Sequence, residues 1–178
     1  MHLRRRMYSK ATLAGHPIHP MLVGFPVAFY SASTAAYVVY AITGDVFAFK
    51  LGVVSNIAGV MGAFLAAVPG AIDWIFGIPS GHPAKTVGLE HMLLNVGALI
   101  LFCVDGSIQC ARWNESHPAW IVAVALAGCG LGLTAAAGFL GWTMVQRHHV
   151  GVKMTPEQQK FDMARHAQPA RLSQIRHS

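Results

Sequence analysis

The chain predicts an all-α integral membrane protein, a four-helix bundle with both termini in the cytoplasm, and three observations predict it. Four apolar stretches, at about 21–43, 51–72, 91–110 and 119–145, are each long enough to cross roughly 30 Å of hydrocarbon as a helix. The composition agrees, with 54% hydrophobic and only 11% charged residues, a balance that suits a bilayer better than a soluble core. The third observation is the placement of Lys and Arg, which collect on the cytoplasmic segments of membrane proteins. Eleven of the 13 lie in the amino-terminal arm, the second loop or the tail. Only Lys50 and Arg112 fall on the other face.

These signals divide the chain into a basic arm at 1–20, a four-span membrane domain at 21–145 and a basic cytoplasmic tail with a short helix at 146–178. The arm is too long, and the first apolar run too extended, for a cleaved signal peptide. The net charge of +6 follows from topology and from contact with anionic lipid in a bacterial inner membrane. No nucleic-acid partner is expected.

The arm ends in Gly15-His16-Pro17-Ile18-His19-Pro20. A residue before proline is pushed toward extended or polyproline II geometry, so His16 and His19 are expected off the helix, pointing the same way about 9 Å apart. Pro20 suits the first helical position. In span one, Pro26 predicts a kink, and the run Ser31 to Ala36 allows close helix contact. Gly44-Asp45 predicts a tight turn. Span two carries Gly59, Gly62, Pro69 and Gly70 and ends at Asp73-Trp74, with Trp74 expected in the interfacial aromatic belt.

The second loop ends in Gly81-His82-Pro83, and Pro83 is expected to start the third helix, which carries Glu90 and His91 about two turns in. Beyond it, Asp105, Arg112 and Glu115 read as a charged edge on the far side, and His117-Pro118 opens span four. That span holds Gly128 and Gly132, a small-xxx-small pair suited to tight packing. Cys103, Cys110 and Cys129 read as packing residues. In the tail, Thr155 is expected to cap a short helix beginning at Pro156.

An internal repeat is also visible. Spans one and three run in the same direction, and Gly15-His16-Pro17 and Gly81-His82-Pro83 introduce them. A duplicated two-helix unit would set a pseudo-twofold axis along the membrane normal, with His19 and His91 facing each other across it.

Nine of the ten histidines fall on the cytoplasmic side of this topology. His16, His19, His82 and His91 gather there with Asp73 and Glu90, and ionisable residues at membrane depth are costly and usually functional. The first reading is a b-type haem ligated by His19 and His91, since two neutral imidazoles on different helices can hold iron from opposite faces. His16 and His82 are then alternative ligands or propionate partners. Asp73 would hold the far N–H of a ligand, and glycines such as Gly24 and Gly88 would leave flat space for the macrocycle. The second reading is a non-haem zinc, iron or copper site built from His16, His19, His82 or His91 with Asp73 or Glu90. The third is a cofactor-free structural subunit in which the histidines cap and pack. If Pro83 starts its helix, His91 sits about 12 Å further along it than His19 does along its own, an offset that tilt or a lower start of span three must absorb. No nucleophile paired with a base, P-loop or dinucleotide fingerprint appears, so hydrolytic or ATP-driven catalysis has no support.

The run His16-Pro17-Ile18-His19-Pro20-Met21-Leu22-Val23 leading to Phe25-Pro26, followed by Gly70-Ala71-Ile72-Asp73-Trp74 and then His91, resembles a family of bacterial predicted membrane proteins catalogued as DUF2231. The likeness covers about residues 15 to 145. It implies four spans. Some relatives are fused to Rieske iron–sulfur domains, which implies electron transfer through a redox partner or a larger membrane complex. No activity is assigned to the family. A homo-oligomer is a further possibility.

Overall fold

A computed structural model describes residues 7–152, 155–158 and 160. The amino-terminal Arg4–Arg6 cluster, Lys153, and the tail from 161 onward, with Phe161, His166 and the last arginines, lie outside the described residues.

Two short strands, β1 (Thr12–Leu13) and β2 (His16–Pro17), pair antiparallel. They are joined by Ala14 and Gly15, both at positive φ, the backbone that a two-residue hairpin needs to match strand twist. Six α-helical or π-helical segments follow: α1 (Ile18–Leu22), α2 (Gly24–Thr43), α3 (Val46–Ile72), a π-turn (Asp73–Gly77), α4 (Pro83–Ala111) and α5 (Trp120–His148). Together they make four helices long and apolar enough to span a membrane: Ile18–Thr43, Val46–Gly77, Pro83–Ala111 and Trp120–His148.

The local chemistry sets the boundaries. Pro26 has no N–H and its ring crowds the carbonyl four residues earlier, and that carbonyl belongs to Leu22, where α1 stops. Gly44 ends α2 in the left-handed region, and the Asp45 carboxylate accepts from Phe47 N at 2.9 Å to cap α3. The ring Nδ1 of His82 accepts from Ala84 N at 3.1 Å and caps α4, which starts at Pro83 as expected. In the tail, Thr155 Oγ1 accepts from Gln158 N and Gln158 Oε1 accepts from Thr155 N, a reciprocal capping box.

Helices α2, α3, α4 and α5 stand in a ring, each packed on the next, with α2 and α4 diagonal. Large apolar side chains face outward, among them Ile42 at 78% exposure and Phe47 at 72%. The interior mixes aromatic rings such as Tyr37, Phe49 and Phe102 with small residues and with the polar Ser33, Asn56, Asp105 and Gln109. Lipid is as apolar as leucine, so helices in it associate through such close packing and through hydrogen bonds. Between the diagonal helices Tyr30 and Phe102 stack face to face, 3.6 Å between centroids and 2° from parallel. Each ring occupies the space that a side chain on Gly59 or Gly130 would fill, within 2.7 Å of a β-carbon built there.

Both ends of the described membrane domain meet at one end of the bundle, where Gly151 N donates to Met7 O at 2.9 Å. The arm is strapped across that end by Asp73, whose carboxylate accepts from Ser9 Oγ, Lys10 N and Ala11 N at 2.7, 2.6 and 2.9 Å. The π-turn leaves carbonyls without helical partners, and the Lys85 ammonium donates to those of Trp74, Ile75 and Ile78. It also stands over the Trp74 ring, whose Nε1–H donates to Lys85 O at 3.0 Å. Trp74 is thus held inside this knot, near the end of the second membrane-length helix.

Candidate functional site: a paired histidine centre

The expectation that His19 lies off the helix is corrected, because α1 takes in Ile18 to Leu22. Pro17 is its N-cap, so Pro20 falls at the third helical position, where its missing N–H is still no loss. His16 alone keeps extended backbone, paired with Leu13.

His19 and His91 come together. Their ring centroids lie 6.2 Å apart with the planes at 90°. The longitudinal offset is absorbed by the arm: the first span begins beside His19, while α4 begins two turns before His91, and the β-hairpin and Asp73 strap fill the space left at that end.

Each imidazole is fixed the same way. His19 Nδ1 lies 2.9 Å from Ala66 O in α3, and His91 Nδ1 lies 2.7 Å from Ala137 O in α5. A backbone carbonyl can only accept, so both Nδ1 atoms carry a proton, and in the neutral ring Nε2 is then the nitrogen with the lone pair. Asn95 Nδ2 stands 3.2 Å from His91 Nε2, and an amide N–H there requires the same tautomer. The amide also donates to His91 O at 2.8 Å, so it has a second partner when Nε2 is otherwise engaged.

A glycine one turn beyond each carbonyl makes the room. A β-carbon on Gly70 would stand 2.8 Å from His19 Nδ1, and one on Gly141 would stand 3.2 Å from His91 Cε1. The two half-sites therefore repeat: histidine, carbonyl on the following membrane span, glycine four residues later. The stacked Tyr30 and Phe102 extend the match, each 11 residues after its histidine, as do Gly59 and Gly130 beneath those rings. The repeat therefore holds in space at these positions. Its register is His19 with His91, whereas the paired Gly-His-Pro motifs are not equivalent, His16 lying in a strand and His82 capping a helix.

The remaining sequence candidates stand apart from the pair. His82 is a cap whose ring meets His148 edge-on at 5.8 Å. Asp73 does not hold the far N–H of either histidine; backbone carbonyls do that, and its carboxylate is spent on the arm. Glu90 is exposed on α4 and Gly24 opens onto empty space. Gly88 does not offer a flat wall, because Trp74 Cδ1 and Met144 Sδ would meet a β-carbon there at 2.8 and 3.3 Å. Among the described residues no three His, Cys, Asp or Glu side chains gather as a metal-holding group. Cys110 and Cys129 are exposed, so the outer face of their helices, and not the packing, receives them.

One further buried polar group escaped the sequence reading. Asp105, expected on an outer edge, is fully buried, and its carboxylate accepts from Asn56 Nδ2 at 2.7 Å and from Gln109 Nε2 at 3.0 Å. An acid inside an otherwise apolar stretch was the available signal.

The model of a family described as a predicted membrane protein, DUF2231, matches residues 15–154. The chain belongs to that family. The matched span of this DUF2231 protein takes in all four membrane-length helices and both histidines of the pair. Comparison with curated proteins and with solved structures gave no match.

Proposed function

We propose that this DUF2231 protein is an electron carrier of the bacterial inner membrane in which His19 and His91 would hold a b-type haem, both termini facing the cytoplasm. One observation carries the reading: two imidazoles from opposite halves of the bundle, each with Nδ1–H committed to a carbonyl and Nε2 left as a donor lone pair, meet at 6.2 Å. Two imidazoles sharing one ion at about 2 Å per bond would have ring centres roughly 6 Å apart. The donor count favours haem over a bare ion. A macrocycle supplies four nitrogens and asks the protein for two, whereas zinc asks for three or four. The carbonyl partners are the outer-sphere contacts that fix tautomer and ring orientation in histidine-ligated centres.

When bound, the haem supplies one-electron chemistry. The protein's part is to present both Nε2 atoms, to hold them with Ala66 O and Ala137 O, and to keep the centre inside the bundle. Electrons would pass to a redox partner or a larger membrane assembly, and a homo-oligomer would bring two centres together.

The test is the visible spectrum of protein purified with haem supplied during expression. A Soret band that shifts on reduction, and is lost in both His19→Ala and His91→Ala while the variants still insert, is the expected result. Bound metal without that band would replace haem by a non-haem zinc, iron or copper site. Neither signal would make the histidines structural bridges between helices.

A further inference from the structure

The Asp105 cluster is electrically incomplete. Asp105, Asn56, Gln109 and Tyr37 are each 0% exposed, inside a bundle whose outer surface is apolar. Among the described residues no Lys, Arg or His hydrogen-bonds Asp105. Lys50 of α3 stands over the Trp113 ring, and Arg112 of α4 donates to Ala119 O at 3.2 Å. The titratable neighbours are Tyr37 on α2, beside Ser33, Asn56 and Asp105, and Cys110 on α4. None of the residues that α5 buries titrates.

The cluster is also short of hydrogen-bond donors. Asn56 and Gln109 give their amide N–H groups to the carboxylate, and their oxygens, Asn56 Oδ1 and Gln109 Oε1, are buried without a partner. The Tyr37 hydroxyl is likewise unpaired. An isolated carboxylate in such a place costs several kcal/mol even after relaxation, and orphaned buried oxygens add to it.

We propose that Asp105 is an intramembrane proton-binding site, its carboxyl carrying an exchangeable proton within the frame of Asn56, Gln109 and Tyr37. A proton supplies both missing things, a positive charge and a donor. A turn of the Gln109 amide puts its oxygen 3.0 Å from the acid O–H. The Tyr37 phenol is the group placed to pass a proton on, because it can donate and accept in one orientation. A metal cation fits less well, since it would face the two amide N–H groups that already point at the carboxylate. The site lies 14 residues from His91 along α4, about 21 Å, with the Tyr30–Phe102 stack between them, and it stands whether or not the histidine pair holds haem.

The experiment is infrared spectroscopy of the full chain in lipid vesicles at neutral pH, in H2O and in D2O. The wild type should show the carbonyl band of a protonated carboxylic acid, shifted by D2O and missing in Asp105→Asn. Tyr37→Phe conserves shape and takes away the phenol hydroxyl beside the acid, so it should move that band, which keeps the test open if Asp105→Asn does not fold. A wild-type spectrum without the band overturns the proposal. So does a band that appears only when sodium is withdrawn, which would make the occupant a metal cation, and so does a band that Tyr37→Phe leaves in place.

Discussion

At the scale of single residues, the two glycines beside the histidines give an asymmetric prediction. A methyl on Gly70 must displace the His19 ring at 2.8 Å, whereas one on Gly141 meets His91 at 3.2 Å, so Gly70→Ala should disturb the pair more than Gly141→Ala. The check is the haem band of each variant, or the histidine ring resonances in cofactor-free protein. Tyr30 offers the opposite case. Its hydroxyl is buried without a partner, so Tyr30→Phe removes a desolvated group while keeping the stack, and stability in a detergent unfolding assay should hold or rise by about 1 kcal/mol. The histidines were legible in the sequence because imidazoles beside prolines and inside apolar runs are conspicuous. Their carbonyl partners were not, because every residue has a carbonyl and only helix packing selects Ala66 and Ala137. Asp105 was misjudged by depth: it lies within the third apolar stretch and more than a turn before the end of α4 at Ala111, so it does not share the edge with Arg112 and Glu115.

At the scale of elements, the end of α3 is held by opposite charges on its two sides. Asp73 takes three donors from the arm, and Lys85 gives to three carbonyls of the π-turn and the loop after it. Asp73→Ala should release the arm without unfolding the spans, seen as lost amide-exchange protection at Lys10 and Ala11 while α3 keeps its own. Lys85→Met should instead fray the carboxyl end of α3, with faster exchange from Trp74 to Ile78. The helices themselves were readable from hydropathy and from turn chemistry at Gly44-Asp45 and Pro83. The break at Leu22 was foreshadowed by Pro26, but the β-hairpin and π-turn were not. Two-residue strands carry no periodic signal, and a π-turn depends on which carbonyls a distant lysine reaches.

At the scale of the whole molecule, the two hairpins of the bundle, α1–α2–α3 and α4–α5, each carry half of the histidine centre and half of the aromatic stack. Separate halves, split in the loop after Gly77 and expressed together, should therefore find each other in the membrane and restore whatever signal the intact protein gives; recovery of only one half on affinity purification would count against this. Gly59→Ala and Gly130→Ala should both weaken the assembly by about 1–3 kcal/mol, because the stacked rings have nowhere to retreat. The stack has a further consequence. Two rings in van der Waals contact between the diagonal helices, flanked by glycine backbones, fill the space a water file would need at that level. The monomer should be an electrical insulator: vesicles containing it should hold their potassium and proton gradients as well as empty ones.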